Sequence, residues 1–190
     1  MKIVVIKFGG TSVGSINRIK KVAEIIAKYK KNKYKVVVVS SAMSGVTNDL
    51  VKKSEKISDD FDKTEYDTLV SAGEQISCSL IAGRLNHIGY VSKSMMAWQI
   101  PIQTDDNFRN ANINNINIRK IINYLKIGGV PIIAGFQGVT KNGRITTLGR
   151  GGSDYSAIVL AKSLKAIKCI IYTDVIGVMT TDPKINNKAK

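Results

Sequence analysis

Ile3-Val4-Val5-Ile6-Lys7-Phe8-Gly9-Gly10-Thr11-Ser12 opens the chain and decides how the rest of it is read. The run Ile3 to Ile6 is short, apolar and β-branched, which predicts a buried strand. Beyond the glycines, Ile19, Val22, Ala23, Ile26 and Ala27 recur at the spacing of one helical face. Strand, Gly-Gly, helix is the arrangement that presents backbone N–H groups to an anion at the carboxyl edge of a parallel sheet. It is not a Walker A loop: Gly9 and Gly14 have the required separation, but Ser15 stands where the lysine must be. Lys7 lies at the strand end, directed towards the loop.

A second loop of the same kind is Thr147-Leu148-Gly149-Arg150-Gly151-Gly152-Ser153-Asp154, which leads into Ala157, Leu160, Ala161 and Leu164 at helical spacing. Its glycines allow positive φ and close backbone approach. The first helical turn offers unpaired N–H groups and the positive end of the dipole. Arg150 adds a fork of donors shaped for carboxylate or phosphate. Ser153 or Asp154 is expected to cap the helix. The dinucleotide pattern GxGxxG is not completed, because Asp154 occupies its last glycine position.

Between the loops, strands alternate with helices. Strands are predicted at about 35–41, 90–94, 102–104, 130–134 and 169–173, and a hairpin at 139–147 turns at Asn142-Gly143. Helices are predicted up to about Ile57, over 65–86 with Leu69, Ile76, Leu80 and Leu85 inward, and over 114–126. This alternation predicts an α/β fold: a three-layer αβα sandwich with a mostly parallel central sheet.

The chain has 190 residues, enough for about one domain with a real core. No apolar run approaches the ~20 residues needed to span a bilayer, and no signal-peptide pattern develops before Lys7, so a cytoplasmic location without membrane association is expected. The net charge of +15 could serve nucleic acid. The lysines are scattered, however, and no aromatic–basic interleaving accompanies them, so the charge reads as solvated surface and no nucleic-acid partner is expected. Cys78 and Cys169 are too far apart for a local metal pair and are expected to be reduced core thiols. His87, the lone histidine, falls near a helix end before Gly89 and reads as a C-terminal cap.

Both glycine loops, the Ser41–Asn48 loop and Thr173-Asp174 follow predicted strands, whose carboxyl ends share one edge in an open α/β sheet. That edge would gather Lys7, Ser41, Thr47, Arg150, Ser153, Asp154 and Asp174. Its cations and amides suit a polyphosphate, and its carboxylates and hydroxyls suit a small zwitterion. No nucleophile–base pair is present. Phosphoryl transfer to an acid that is already ionised needs only positioning and charge neutralisation, and the residue inventory points to that reaction class.

Five segments in this order resemble the aspartate kinases: Lys7 to Gly14, Ser41 to Asn48, Ser71-Ala72-Gly73-Glu74, Gly135-Phe136-Gln137-Gly138 and Thr147 to Asp154. Thr173-Asp174-Val175 through Asp182-Pro183 is similar to the nucleotide-binding stretch of the wider amino-acid kinase superfamily. The resemblance implies transfer of the γ-phosphoryl group of ATP to the side-chain carboxylate of L-aspartate, with Mg2+, as the first step towards lysine, threonine and methionine. It implies catalytic roles for Lys7, which would neutralise the transferring group, and Asp154, which would orient the cations around it. Arg150 would hold the α-carboxylate of aspartate and Glu74 would face its ammonium. Ser41, Thr47, Gly151, Gly152 and Ser153 would complete the substrate site. ATP would meet Lys7, Gly9, Gly10, Thr173, Asp174, Met179 and Lys184, and no metal would be held by protein side chains alone.

Two positions depart from the family pattern: Met179 stands where an aromatic residue is usual, and Lys184 where an arginine follows Asp-Pro. Family kinase domains also continue past the position of Lys190, usually into regulatory ACT domains. The expectation is therefore one amino-acid kinase domain over residues 1–190, with its aspartate-binding part complete, its nucleotide-binding part truncated and no ACT domains. Such a chain is expected to form a homo-oligomer or to join a complementing kinase fragment; the alternative is a non-catalytic remnant.

Overall fold

The opening apolar run is a strand, β1 (Ile3–Phe8), flanked on both edges by parallel neighbours. The computed structural model describes residues 1–173. In chain order the elements after β1 are α1 (Ile16–Lys31), β2 (Lys35–Ser40), α2 (Val46–Ile57), α3 (Lys63–Val70), α4 (Ala72–His87), β3 (Ser92–Met95), β4 (Ile102–Thr104) and β5 (Ile113–Ile116). Then follow α5 (Arg119–Lys126), β6 (Val130–Ala134), β7 (Gln137–Val139), β8 (Ile145–Thr147), α6 (Gly152–Ser163) and β9 (Lys168–Tyr172). The central sheet has the order β3-β6-β2-β1-β9, and its pairings are all parallel. A second sheet, β5-β4-β7-β8, is mixed.

The period of two along each strand divides the core into two layers. Val4, Ile6 and Phe8 of β1, with Val36 and Val38 of β2, pack with Ile19, Val22 and Ile26 of α1 and with Ile81 and Leu85 of α4. The alternate residues Ile3, Val5, Val37 and Val39 pack with Ile121 and Leu125 of α5 and with Ala157 and Leu160 of α6. Helices thus cover both faces, giving the three-layer α/β sandwich with a parallel central sheet. Lys7 shares the parity of Ile3 and Val5, which directs it to the α6 side. Ser40 shares the parity of Val38, which directs it towards α4.

The face predicted for α1 is the one buried, and Ser15 caps the helix by accepting from Arg18 N. The Asn142-Gly143 turn joins β7 to β8, with Gly143 at φ +80°. Other expectations are corrected. The helix predicted over 65–86 is two helices, broken at Ser71, whose carbonyl accepts from Gln137 Nε2 at 2.7 Å. Ile76, expected inward, is 48% exposed. The helix predicted from 114 starts at Arg119, because Ile113–Ile116 pairs with β4 as a strand. Cys78 is buried as expected, but Cys169 is exposed on β9. His87 is the last residue of α4, and the C-cap is Ile88. Among the described residues no helix is long and apolar enough to cross a membrane.

The two-layer core makes a direct prediction. Leu160→Ala, at a fully buried site on α6, lowers unfolding free energy by about 3 kcal/mol in urea titration. Ile158→Ala, two residues away but 55% exposed, changes it by less than about 0.5 kcal/mol.

Candidate active site

Parity and parallel pairing bring the first glycine loop, the loop after β2 and the start of α6 to one edge of the central sheet. Lys7 stands opposite Val39 of β2 and Ile171 of β9. It is only 7% exposed, and its Nζ meets Asp154 Oδ1 of α6 at 2.6 Å. An ammonium buried this far needs such a partner. Lys7 and Asp154 lie in the wall of a cleft of about 600 Å³.

The second glycine loop arrives by a different route from the one expected. It follows β8 of the mixed sheet, not a central strand, and still closes onto the same edge. Neither Ser153 nor Asp154 caps α6. The N-cap is Gly151 at φ +72°, with no side-chain cap bond. Only glycine takes that left-handed conformation without strain. The result is a helix start that faces the cleft through backbone alone, with Gly151, Gly152, Ser153 and the Arg150 side chain along it.

The opposite wall is the loop after β2. Ser41 N donates to Phe8 O at 3.0 Å and Ser44 N to Gly10 O at 3.2 Å, which ties this loop to the first glycine loop. Glu74, in the first turn of α4, is 3% exposed. Its Oε1 accepts from Ala42 N at 3.0 Å, while its buried Oε2 has no hydrogen-bond partner. Gly73 makes this approach possible, since a Cβ there would stand 2.7 Å from Ala42 Cβ. Ser77 Oγ donates to Ser41 O at 2.7 Å from the next turn.

Two residues that no sequence pattern singled out complete the structure. Asp67 of α3 is fully buried. Its carboxylate accepts from Arg109 N at 2.9 and 3.1 Å, from Thr147 N at 2.8 Å and from Thr147 Oγ1 at 2.8 Å. One side chain thus fastens α3, the loop before β5 and the end of β8. Arg109 also lines the cleft, its guanidinium 3.9 Å from the centroid of Tyr66. The signal for Asp67 was its place three residues before Val70 on α3, which puts a carboxylate on that helix's buried face. Arg109 had none, sitting in a polar loop.

Of the residues named from sequence, Lys7, Gly10, Ser41, Thr47, Glu74, Arg150, Gly151, Gly152, Ser153 and Asp154 all line this cleft. Gly9 stands beside it, but its N–H donates to Tyr172 O at 3.0 Å and is therefore engaged in holding β9. Thr173 is exposed just past β9. Asp174, Met179 and Lys184 lie outside the described residues. Among the described residues no group of three His, Cys, Asp or Glu side chains is placed to hold a metal ion.

Burial raises the Glu74 carboxyl from its ordinary 4.5 to about 7, opposed by the bond from Ala42 N. Burial likewise raises Asp67, opposed by its bonds from Arg109 and Thr147. The folded state therefore holds the Glu74 proton more tightly than the unfolded chain does. This contribution to stability is complete below about pH 4.5 and is lost as pH rises through about 7. The free protein should lose on the order of 3 kcal/mol of unfolding free energy across that window from Glu74. Glu74→Gln should flatten that slope in urea titrations run from pH 4.5 to 8; an unchanged slope would place the proton elsewhere.

The same chain matches known proteins along its whole length. The model of the amino acid kinase family matches residues 2–190. Aspartokinases of Bacillus sp. (strain MGA3) and Geobacillus stearothermophilus are each 50% identical over 190 residues, covering 100% of this chain and 46% and 47% of their own lengths. The chain thus spans about half the length of the curated relatives it matches. The crystal structure of aspartate kinase from Synechocystis superposes with a TM-score of 0.83 at 39% identity, covering 99% of this chain and 31% of that one. E. coli aspartokinase III, solved in complex with aspartate and ADP, gives 0.84 at 29% identity, covering 99% of this chain and 53% of that one. A wholly parallel central sheet, a cleft at its carboxyl edge and a family match across residues 2–190 lead to one assignment: the chain belongs to the amino acid kinase family.

Proposed function

We propose that this chain carries the aspartate kinase reaction, moving the γ-phosphoryl group of ATP to the side-chain carboxylate of L-aspartate to give 4-phospho-L-aspartate and ADP. The observation that carries this reading is the charge pattern of the cleft. It holds a buried carboxylate with one oxygen unpartnered, Glu74; a guanidinium, Arg150; and a buried ammonium, Lys7, beside an uncapped helix start. An amino acid with a second carboxylate answers each of these charges. Aspartate kinases are the relatives at 50% identity, and the E. coli structure contains aspartate and ADP.

In this reading Arg150 holds the α-carboxylate and Glu74 the ammonium, with Ser41 and Thr47 fixing the backbone of the substrate. A substrate ammonium beside Glu74 would favour its ionised form and offset the cost of burying it. The side-chain carboxylate then faces Lys7. One of its oxygens attacks the γ-phosphorus while the bond to the bridging oxygen of ADP breaks. The acceptor is already an anion, so no proton moves and no general base is required. Lys7, Gly10 and the α6 start spread the charge that develops on the transferring group, and Asp154 keeps the ammonium of Lys7 aimed at it. Ser153 donates to the substrate. By the family resemblance Gly9, Thr173, Asp174, Met179 and Lys184 would contact the nucleotide. The glycine backbone and cations of the cleft fit phosphate oxygens. Mg2+ would be carried largely by those oxygens and would supply further charge neutralisation. The product's acyl phosphate belongs to lysine, threonine and methionine biosynthesis, a cytoplasmic pathway. In the same reading its protein partner would be a further copy of itself or a complementing kinase fragment.

The test is aspartyl hydroxamate formation dependent on ATP and Mg2+. Lys7→Ala should reduce turnover by roughly 10³-fold while aspartate still binds in calorimetry. Turnover at the parent rate would remove Lys7 from the transfer step, and no aspartate-dependent turnover in the parent would overturn the proposed reaction.

A further inference from the structure

Arg109 stands in the cleft with an unusual backbone. Four non-glycine residues among those described have positive φ, and two of them, Arg109 at +69° and Phe136 at +67°, line the cleft. Side chains rarely adopt that region, and residues held there concentrate where function requires the geometry. Here the surroundings impose it. Arg109 N donates to both oxygens of buried Asp67, at 2.9 and 3.1 Å. Its carbonyl oxygen lies 3.3 Å from where a Cβ on Gly149 would stand, so its backbone abuts the residue before Arg150.

The side chain is fixed as well. Its guanidinium lies over the Tyr66 ring, 3.9 Å from the centroid, and Tyr66 lines the cleft beside it. Stacking on an aromatic face leaves the in-plane N–H edge of a guanidinium available for a planar anion. Among the described residues, Lys7 is paired with Asp154, whereas neither Arg109 nor Arg150 makes an ion pair. The cleft thus holds two guanidiniums outside any ion pair, carried on adjoining backbone segments, with Asp67 near enough to feel the charge of Arg109. A long side chain ordered before a ligand arrives loses little further freedom on binding.

We propose that Arg109 is a specificity-determining residue, which together with Arg150 holds a substrate carboxylate so that the cleft selects a small dicarboxylic amino acid. This rests on the aspartate reading above and adds a second guanidinium to it. Asp67 and Tyr66 act as positioning residues for Arg109. One carboxylate of the substrate faces Lys7 as acceptor, and the other lies between the two guanidiniums.

Two variants test this without removing the fold. Arg109→Gly keeps the N–H that Asp67 requires and is at ease at positive φ; Arg109→Lys keeps the charge and loses the fork. Calorimetry with L-aspartate and with succinate is run beside steady-state hydroxamate kinetics. In Arg109→Gly, Kd and KM for aspartate should rise about tenfold or more, with kcat within about threefold and melting temperature within about 3 °C. KM for ATP should stay within about twofold, and Arg109→Lys should recover part of the loss. An aspartate KM and Kd unchanged in an active Arg109→Gly protein would overturn this proposal and leave the kinase reading standing. Equal losses for aspartate and ATP with a lowered melting temperature would also overturn it, marking Arg109 as structural. A parent that binds aspartate without transferring phosphate would overturn the kinase reading alone; weakened binding in Arg109→Gly would then still support this proposal. A parent that binds neither aspartate nor succinate would overturn both.

Discussion

Burying an ammonium group at the end of a strand is costly unless a carboxylate meets it, and in this fold the carboxylate comes from 147 residues further along the chain, Lys7 being answered by Asp154 at 2.6 Å. The alternation of β1 sends Lys7 to the α6 face. The left-handed Gly151 then lets α6 begin where its third residue reaches that ammonium. Had Lys7 been one residue earlier or later in the strand, it would have pointed towards α1 and α4. The pair is therefore a product of register as much as of charge, and the remainder of the cleft is arranged around it.

The second organising element is Asp67. A buried carboxylate that accepts from three donors through both oxygens has its lone pairs met, so its desolvation is partly offset by the backbone and hydroxyl groups it gathers. Those donors come from the loop that carries Arg109 and from the end of β8, next to the Arg150 loop. Glu74, about two turns after Asp67 in sequence but on the separate helix α4, has the opposite character: one oxygen takes Ala42 N and the other takes nothing. Two buried acids thus serve different ends. One is satisfied by the protein and shapes it; the other lines the cleft with one oxygen unpartnered.

The fold was legible in the sequence wherever burial dictated a period. The face of α1, the apolar strands and the Asn142-Gly143 turn follow from spacing and turn chemistry alone. The helix predicted from 114 began too early because residues 114–116 belong to a short strand whose middle is polar and whose partner, β4, lies elsewhere in the chain. The break at Ser71 was hidden because the partner that takes its carbonyl, the amide of Gln137, lies 66 residues away. Most of the cleft was visible from the glycine loops, which hold their own local conformations. Arg109 was not, because its significance comes from Asp67 and Tyr66 on another element, and no local pattern records a tertiary contact.

The place of β1 in the sheet bears on the order in which the chain can fold. β1 is the first strand made, yet one of its neighbours is β9, aligned from Val4 opposite Lys168 to Phe8 opposite Tyr172. During synthesis the edge that β9 will cover remains an open row of donors and acceptors until some 170 residues have emerged. Closure of so long a loop is slow, and the long-range pairings that dominate such a sheet reward the chain only once made. Gly9, whose N–H is held by Tyr172, acquires its native partner only at that step. The nascent chain consequently carries an open β1 edge until β9 emerges, and the tie between Gly9 and Tyr172 is among the last of the described contacts that it can make.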